Sequence, residues 1–232
     1  MCGRFVQKTP LGDIQVLFET AGAVPNMPPR YNAAPTDNLA VVRYNPQTRE
    51  RALDLLRWGL VPLWAKDLAF GPKCINARRE TVATNNIFRD AFQRRRCLVP
   101  ADGFYEWQKA GGKTQPYAIV SQEGIFAFAG LWERWKNPAD GGSIVRSFTI
   151  VTGLPNELCR PIHERMPVIL PKAAWPLWLG DAEASPDELL ALLSPYPAKL
   201  MRAYPVGPAV GNVKNDEPGL LDRMAGESIA TA

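Results

Sequence analysis

The alternation of apolar and polar positions divides the chain into short elements. In DIQVLFET (Asp13 to Thr20) apolar residues recur at helical spacing and Asp13 can cap, which predicts a first helix. The stretch from Pro25 to Pro35 holds four prolines and reads as an irregular, fairly rigid loop. LAVVRY (Leu39 to Tyr44) and RALDLLRWGL (Arg51 to Leu60) read as strands around an NPQT turn, a hairpin signal. NIFRDAFQRRR (Asn86 to Arg96) brings Ile87, Phe88, Ala91 and Phe92 to one helical face, and its three arginines finish the last turn, where the helix dipole favours cations. CLVP, GFYEWQ, PYAIVS, IFAFAGLW and SFTIVT follow as β-branched or aromatic runs separated by turn sequences such as KAGGK and QEG. Helices near KAAWPLWL and SPDELLALL and a strand around LMRAYPV complete the pattern. The series predicts an α+β fold, a mainly antiparallel β-sheet with flanking helices and no internal repeat.

Composition narrows the class. A chain of 232 residues with 46% hydrophobic and 22% charged residues can bury a substantial core. It reads as a single domain over residues 1–222 with a frayed tail over 223–232, and as a monomer. No apolar run approaches a membrane span and the polar MCGRFVQKT start lacks a signal-peptide core, so a cytoplasmic, reducing setting without a membrane partner is expected. Cys2, Cys74, Cys97 and Cys159 are widely spaced, without a CxxC and with one histidine in the whole chain. That pattern argues against a disulfide framework and against a metal site, and no cofactor is expected. A net charge of +4 permits a local basic groove without deciding the partner.

Six stretches carry a more specific signal. MCGRF, RWGLVPLWA, NARRETV, RRCLVPADGFYEW, SFTIVT and IHERMPVIL occur in the order found in the SOS response-associated peptidase (SRAP) family, which the chain resembles over most of its length. The second arginine of NARRET and the second tryptophan of LWA depart from the typical pattern, outside the catalytic set. The resemblance implies a barrel-like core and a protein that recognises abasic sites in single-stranded DNA, becomes covalently linked to them through Cys2, and acts near the nucleoid, where replication-fork proteins are conceivable partners. It implies removal of Met1, a weak lyase side activity, and catalytic roles for Cys2, Asn76, Glu106 and His163.

Each of these residues has chemistry of its own. An N-terminal amine, with a pKa of about 8, keeps a useful neutral fraction at pH 7, so a Cys2 freed of Met1 is a better imine former than a lysine. Its thiol can then close on the imine carbon to a five-membered thiazolidine. Standing alone, Cys2 reads as a small residue tolerated near a terminus. Glu106, between Tyr105 and Trp107, faces away from both if the strand is regular. Desolvated there it suits acid/base work, and solvated it is an ordinary glutamate on a wet face. His163 is a proton shuttle or a packed residue, and Asn76 a holder of the Cys2 amine or thiol or a turn residue. Arg4, Arg78 and Arg165 suit phosphate oxygens, the bland alternative being surface ion pairs. Trp58 and Trp64 offer faces for bases flanking the lesion, the alternative being that one of them is core, whereas Trp132, Trp135, Trp175 and Trp178 read as packing. Asn32 and Pro35, in YNAAPT, match a family segment near the site. Two other functions fit less of the pattern: an N-terminal cysteine hydrolase acting on amides in trans, and a non-covalent single-stranded DNA-binding module.

Overall fold

The period-two runs become strands in the structure, a computed structural model that describes residues 2–224 apart from the side chain of Ala110. The first half contains β1 (Phe5–Gln7), α1 (Leu11–Phe18), β2 (Thr20–Ala21), β3 (Arg30–Ala33), β4 (Asn38–Asn45), β5 (Glu50–Trp58), β6 (Asn76–Arg78), α2 (Arg89–Arg94), β7 (Arg96–Ala101) and β8 (Gly103–Ala110). The second contains β9 (Lys113–Ser121), β10 (Phe126–Lys136), β11 (Ile144–Gly153), β12 (Met166–Pro167), α3 (Trp175–Leu179), α4 (Pro186–Ala191) and β13 (Met201–Pro205). One sheet runs β13-β9-β8-β1-β3 and the other β12-β11-β10-β7-β4-β5-β2, with β6 added beside β11.

The second sheet closes on itself. Antiparallel pairs link β11, β10, β7, β4 and β5, and a short parallel pairing returns from β5 to β11, with Arg57 opposite Ser147 and Trp58 opposite Phe148. Because paired residues share a face, the register predicts one interior row per strand. Leu39 and Val41, Leu56 and Trp58, Cys97 and Val99, Phe126 and Phe128, and Phe148 and Ile150 indeed form one buried cluster. This is the α+β, largely antiparallel, barrel-like architecture anticipated from the sequence. Helices α1, α2, α3 and α4 cover the outer face through Ile14, Phe18, Phe92, Trp178 and Leu189.

Several local expectations are corrected. Asp13 lies inside α1, which starts after Pro10 and has no side-chain cap. Of the three arginines after α2, only Arg94 belongs to its last turn; Arg95 is the cap and Arg96 opens β7, its Nε donating to the carbonyl oxygen of Trp178. The proline-rich segment contains β3, because residues 30–33 find a partner in β1. At the far end, Arg223 still bridges to Val206 and the Met224 N–H donates to Pro205, while residues 225–232 of the expected tail lie outside the described residues.

Gly59 ends β5 with φ at +115° and passes so close to Gly71 that a Cβ would lie 2.8 Å from its carbonyl oxygen. Both features require glycine. Gly59→Ala is expected to cost about 3 kcal/mol of stability in urea unfolding, and a variant as stable as the wild type would contradict this packing.

Candidate active site

The register of β1 on β8 builds the site. Phe5 pairs with Phe104, and the Tyr105 N–H donates to the Arg4 carbonyl oxygen at 3.0 Å. The chain ahead of β1 is thereby laid along β8, toward Glu106. Tyr105 and Trp107 face a small cluster with Val6 and Val206, whereas Phe104 faces the cluster that contains Cys2. Period two gives Glu106 the Phe104 side. Its carboxyl group is not on a wet face: Glu106 is 4% exposed and Cys2 fully buried.

Electrostatics tie the neighbours together. Burial raises the Glu106 pKa above the usual carboxylate range, and His163 offsets part of that rise. Burial also drives the Cys2 thiol far upward, with Glu106 adding to the effect. Cys159 responds in the same way, pushed up to about 12 by burial and by Glu106. Cys2, Cys159 and His163 therefore all lie within electrostatic reach of Glu106.

His163 is set by a turn that begins at Asn156. The Asn156 Oδ1 accepts from the Cys159 N–H at 3.0 Å, its Nδ2 donates to the Tyr196 carbonyl oxygen at 2.8 Å, and the N–H groups of Ile162 and His163 both donate to the Cys159 carbonyl oxygen. The Arg165 N–H donates to His163 Nδ1 at 3.0 Å. The Arg165 carbonyl oxygen lies 3.2 Å from the same Nδ1, so this one ring nitrogen is held by both backbone groups of Arg165. Asn76 arrives through β6, parallel to β11 with Asn76 opposite Ile150 and Arg78 opposite Thr152. Its Nδ2 donates to the Ile75 carbonyl oxygen, while its Oδ1 is buried without a hydrogen bond among the described residues.

The residues read as DNA contacts divide into three groups. Arg78 is exposed and Trp64 is 59% exposed, edge-on to Phe70 beside a cavity of about 390 Å³ that Lys66 and Lys73 also line. Arg165 is occupied: its two terminal nitrogens meet both oxygens of Glu80 at 2.8 and 3.0 Å, and one of them also donates to the Thr152 carbonyl oxygen. Arg4 bonds Asn32 and the Val210 carbonyl oxygen, and the fully buried Asn32 donates to the carbonyl oxygens of Val210, Asn212 and Asn215. Asn32 is thus a tie between β3 and the segment after β13, and Pro35 is half-buried beside it. Trp58 needs correction as a stacking surface. It is fully buried against Phe5 and Phe148, its Nε1 donating to the Ile75 carbonyl oxygen, so neither face is open to a base. Among the described residues no group of three or more His, Cys, Asp or Glu could hold a metal ion, and no helix is long and apolar enough to cross a membrane.

The model of the SOS response associated peptidase (SRAP) family matches residues 1–213. The chain belongs to the SRAP family. It is 42% identical over 226 residues to the abasic site processing protein YoqW of Bacillus subtilis, covering 96% of this chain and 99% of that one. Identity to the abasic site processing protein YedK of Escherichia coli is 33% over 228 residues, covering 95% and 99% of the two chains. A crystal structure of a Bacteroides thetaiotaomicron protein shares the fold, with a TM-score of 0.86 at 23% identity over 96% of this chain and all of that one. A Bordetella bronchiseptica structure matches at a TM-score of 0.74 and 28% identity, over 89% of this chain and all of that one.

Within this SRAP chain, sequence reasoning missed Cys159, Asn156, Glu80 and Thr152. The four-residue spacing of Cys159 and His163, one helical turn, was the one local signal. Glu80 and Thr152 meet Arg165 only through the pairing of β6 with β11 and carried none.

Two predictions follow from this geometry. Asn32→Ala removes an amide whose two N–H hydrogens are shared among three carbonyl oxygens in a buried site and is expected to cost about 2 kcal/mol in urea unfolding; a loss below about 0.5 kcal/mol would contradict the tie. A carboxyl group whose folded pKa is raised gives its full stability below its unfolded pKa and loses it as pH rises through the folded pKa. The melting temperature of Glu106→Gln relative to wild type should therefore climb between pH 4.5 and pH 8, and a flat or falling difference would contradict the buried carboxyl group.

Proposed function

We propose that this chain processes abasic sites in single-stranded DNA by joining the opened sugar aldehyde to Cys2 as a thiazolidine, once Met1 has been removed. The observation that carries the reading is the burial of Glu106 beside Cys2 and His163, in a family whose relatives are named abasic site processing proteins. In this scheme the neutral Cys2 amine adds to the aldehyde carbon and water leaves, giving an imine. The thiol then adds to the same carbon, its proton passing by way of Glu106 to the imine nitrogen, and ring closure completes the link. A carboxyl group with a raised pKa exchanges protons at neutral pH, which an exposed glutamate does poorly. His163 donates a proton to the departing ring oxygen of the sugar. The open Asn76 Oδ1 accepts from the Cys2 amine and orients its lone pair.

Consuming the aldehyde disfavours β-elimination, so the strand stays intact, and weak lyase activity is the branch in which the imine fails to close. Removal of Met1 by Cys2 and Glu106 themselves belongs to the same proposal. Arg78 and Trp64 hold the flanking strand by phosphate contact and base stacking, and a phosphate takes the Glu80 place on Arg165. A trans-acting thiol hydrolase fits less well, because the relatives are named abasic site processing proteins.

Denaturing gels with an abasic oligonucleotide test the scheme. Cys2→Ala should give no shifted band, and Glu106→Gln should slow adduct formation about 100-fold. A covalent band from Cys2→Ala at the wild-type rate would overturn it. Glu80→Gln should release Arg165 and tighten binding of the same strand severalfold; unchanged binding would remove Arg165 from the DNA contacts.

A further inference from the structure

The interior rows of the barrel do not stay apolar to both ends. At one mouth they continue as Arg43 on β4, Asp54 on β5, Trp132 and Arg134 on β10, and Arg146 on β11, around a cavity of about 590 Å³ overhung by the tip of the β4–β5 hairpin. Arg43 lies over Trp132, its guanidinium carbon 4.3 Å from the ring centre, and its Nε donates to Asp54 at 3.0 Å. The remaining two arginines are different. Arg134 and Arg146 sit directly opposite each other across the β10–β11 ladder, both exposed, and neither has a carboxylate ion pair among the described residues. Like charges directly opposite on antiparallel strands repel, and a single carboxylate against three guanidinium groups leaves the cup with an uncompensated positive charge. An anion between the two free forks removes the repulsion, and paired guanidinium groups match tetrahedral oxyanions with two donors each.

We propose that this mouth is a second ligand site, separate from Cys2, that takes a phosphate group, with Tyr44 and the Arg43–Trp132 stack forming the wall beside it. It is remote from the chemistry: six residues of β11 separate Arg146 from Thr152, the residue that holds Arg165, or about 20 Å along a strand. The phosphate comes either from a free nucleotide or from the backbone of a single strand that has passed the lesion site.

The test follows the indole N–H resonance of Trp132, assigned with Trp132→Phe, in the full chain titrated with inorganic phosphate, adenosine 5′-monophosphate and a lesion-free oligothymidylate. The resonance should move along a saturating curve with at least one of these, and affinity should fall at least tenfold in Arg134→Gln/Arg146→Gln. A response to phosphate or the nucleotide assigns a small ligand, and a response to the oligonucleotide alone assigns the strand. The double variant should melt no lower than wild type, since it relieves repulsion, and should keep the wild-type rate of adduct formation. A resonance that none of the three moves, or that moves equally in the double variant, overturns the site, as does a double variant that melts lower.

Discussion

A carboxyl group held away from water governs the rest of this molecule. Glu106 is 4% exposed in a strand whose neighbours Tyr105 and Trp107 face the opposite way. Burying such a group without compensation costs several kcal/mol, so the surroundings must either keep it protonated or supply charge. They do both in part: burial raises its pKa and His163 pulls it back. The result is a buried carboxyl group with a raised pKa, close enough to the buried Cys2 thiol to raise that pKa as well.

Strand β11 delivers the other participants to this point. It closes the barrel against β5, carries β6 with Asn76 and Arg78 on one side, and pairs with β12 just past Arg165. The Arg165 guanidinium returns to β11 at Thr152, and its backbone N–H fixes the His163 ring. The stretch bearing Cys2 is secured from another direction, through Arg4 to Asn32 and Val210, with Asp216 accepting from the Tyr31 and Asn32 N–H groups and pairing with Arg30. Two separate sets of hydrogen bonds thus fix the stretch that bears Cys2 and the turn that bears His163.

Much of the fold was legible in the sequence, and the reason is local. The NPQT hairpin and the runs from CLVP to SFTIVT are short β-branched or aromatic stretches set off by turn sequences, and that composition specifies strands. β6 and β12 were invisible because three or two residues carry no period; only their partner β11 makes them strands. The same limit applies to the site. The orientation of Glu106 relative to Tyr105 and Trp107 could be read from alternation, but its burial depends on which cluster β8 packs against. Trp58 looked like a platform in RWGLVPLWA and proved to be core, since the β5–β11 pairing that buries it joins residues far apart in the chain. Arg4 and Asn32 also hold two distant segments together, a tie that nothing in the local sequence shows.

The central claim is that one residue supplies both nitrogen and sulfur to a single carbon. Intact-mass spectrometry of the purified protein, before and after mixing with an abasic oligonucleotide and then with cyanoborohydride, tests it most directly. The account predicts a protein lacking Met1, an adduct equal to protein plus oligonucleotide less one water, and no gain of two hydrogens on reduction, because a closed ring leaves no imine to reduce. An adduct that retains Met1, or one that takes up those hydrogens in full, would contradict it.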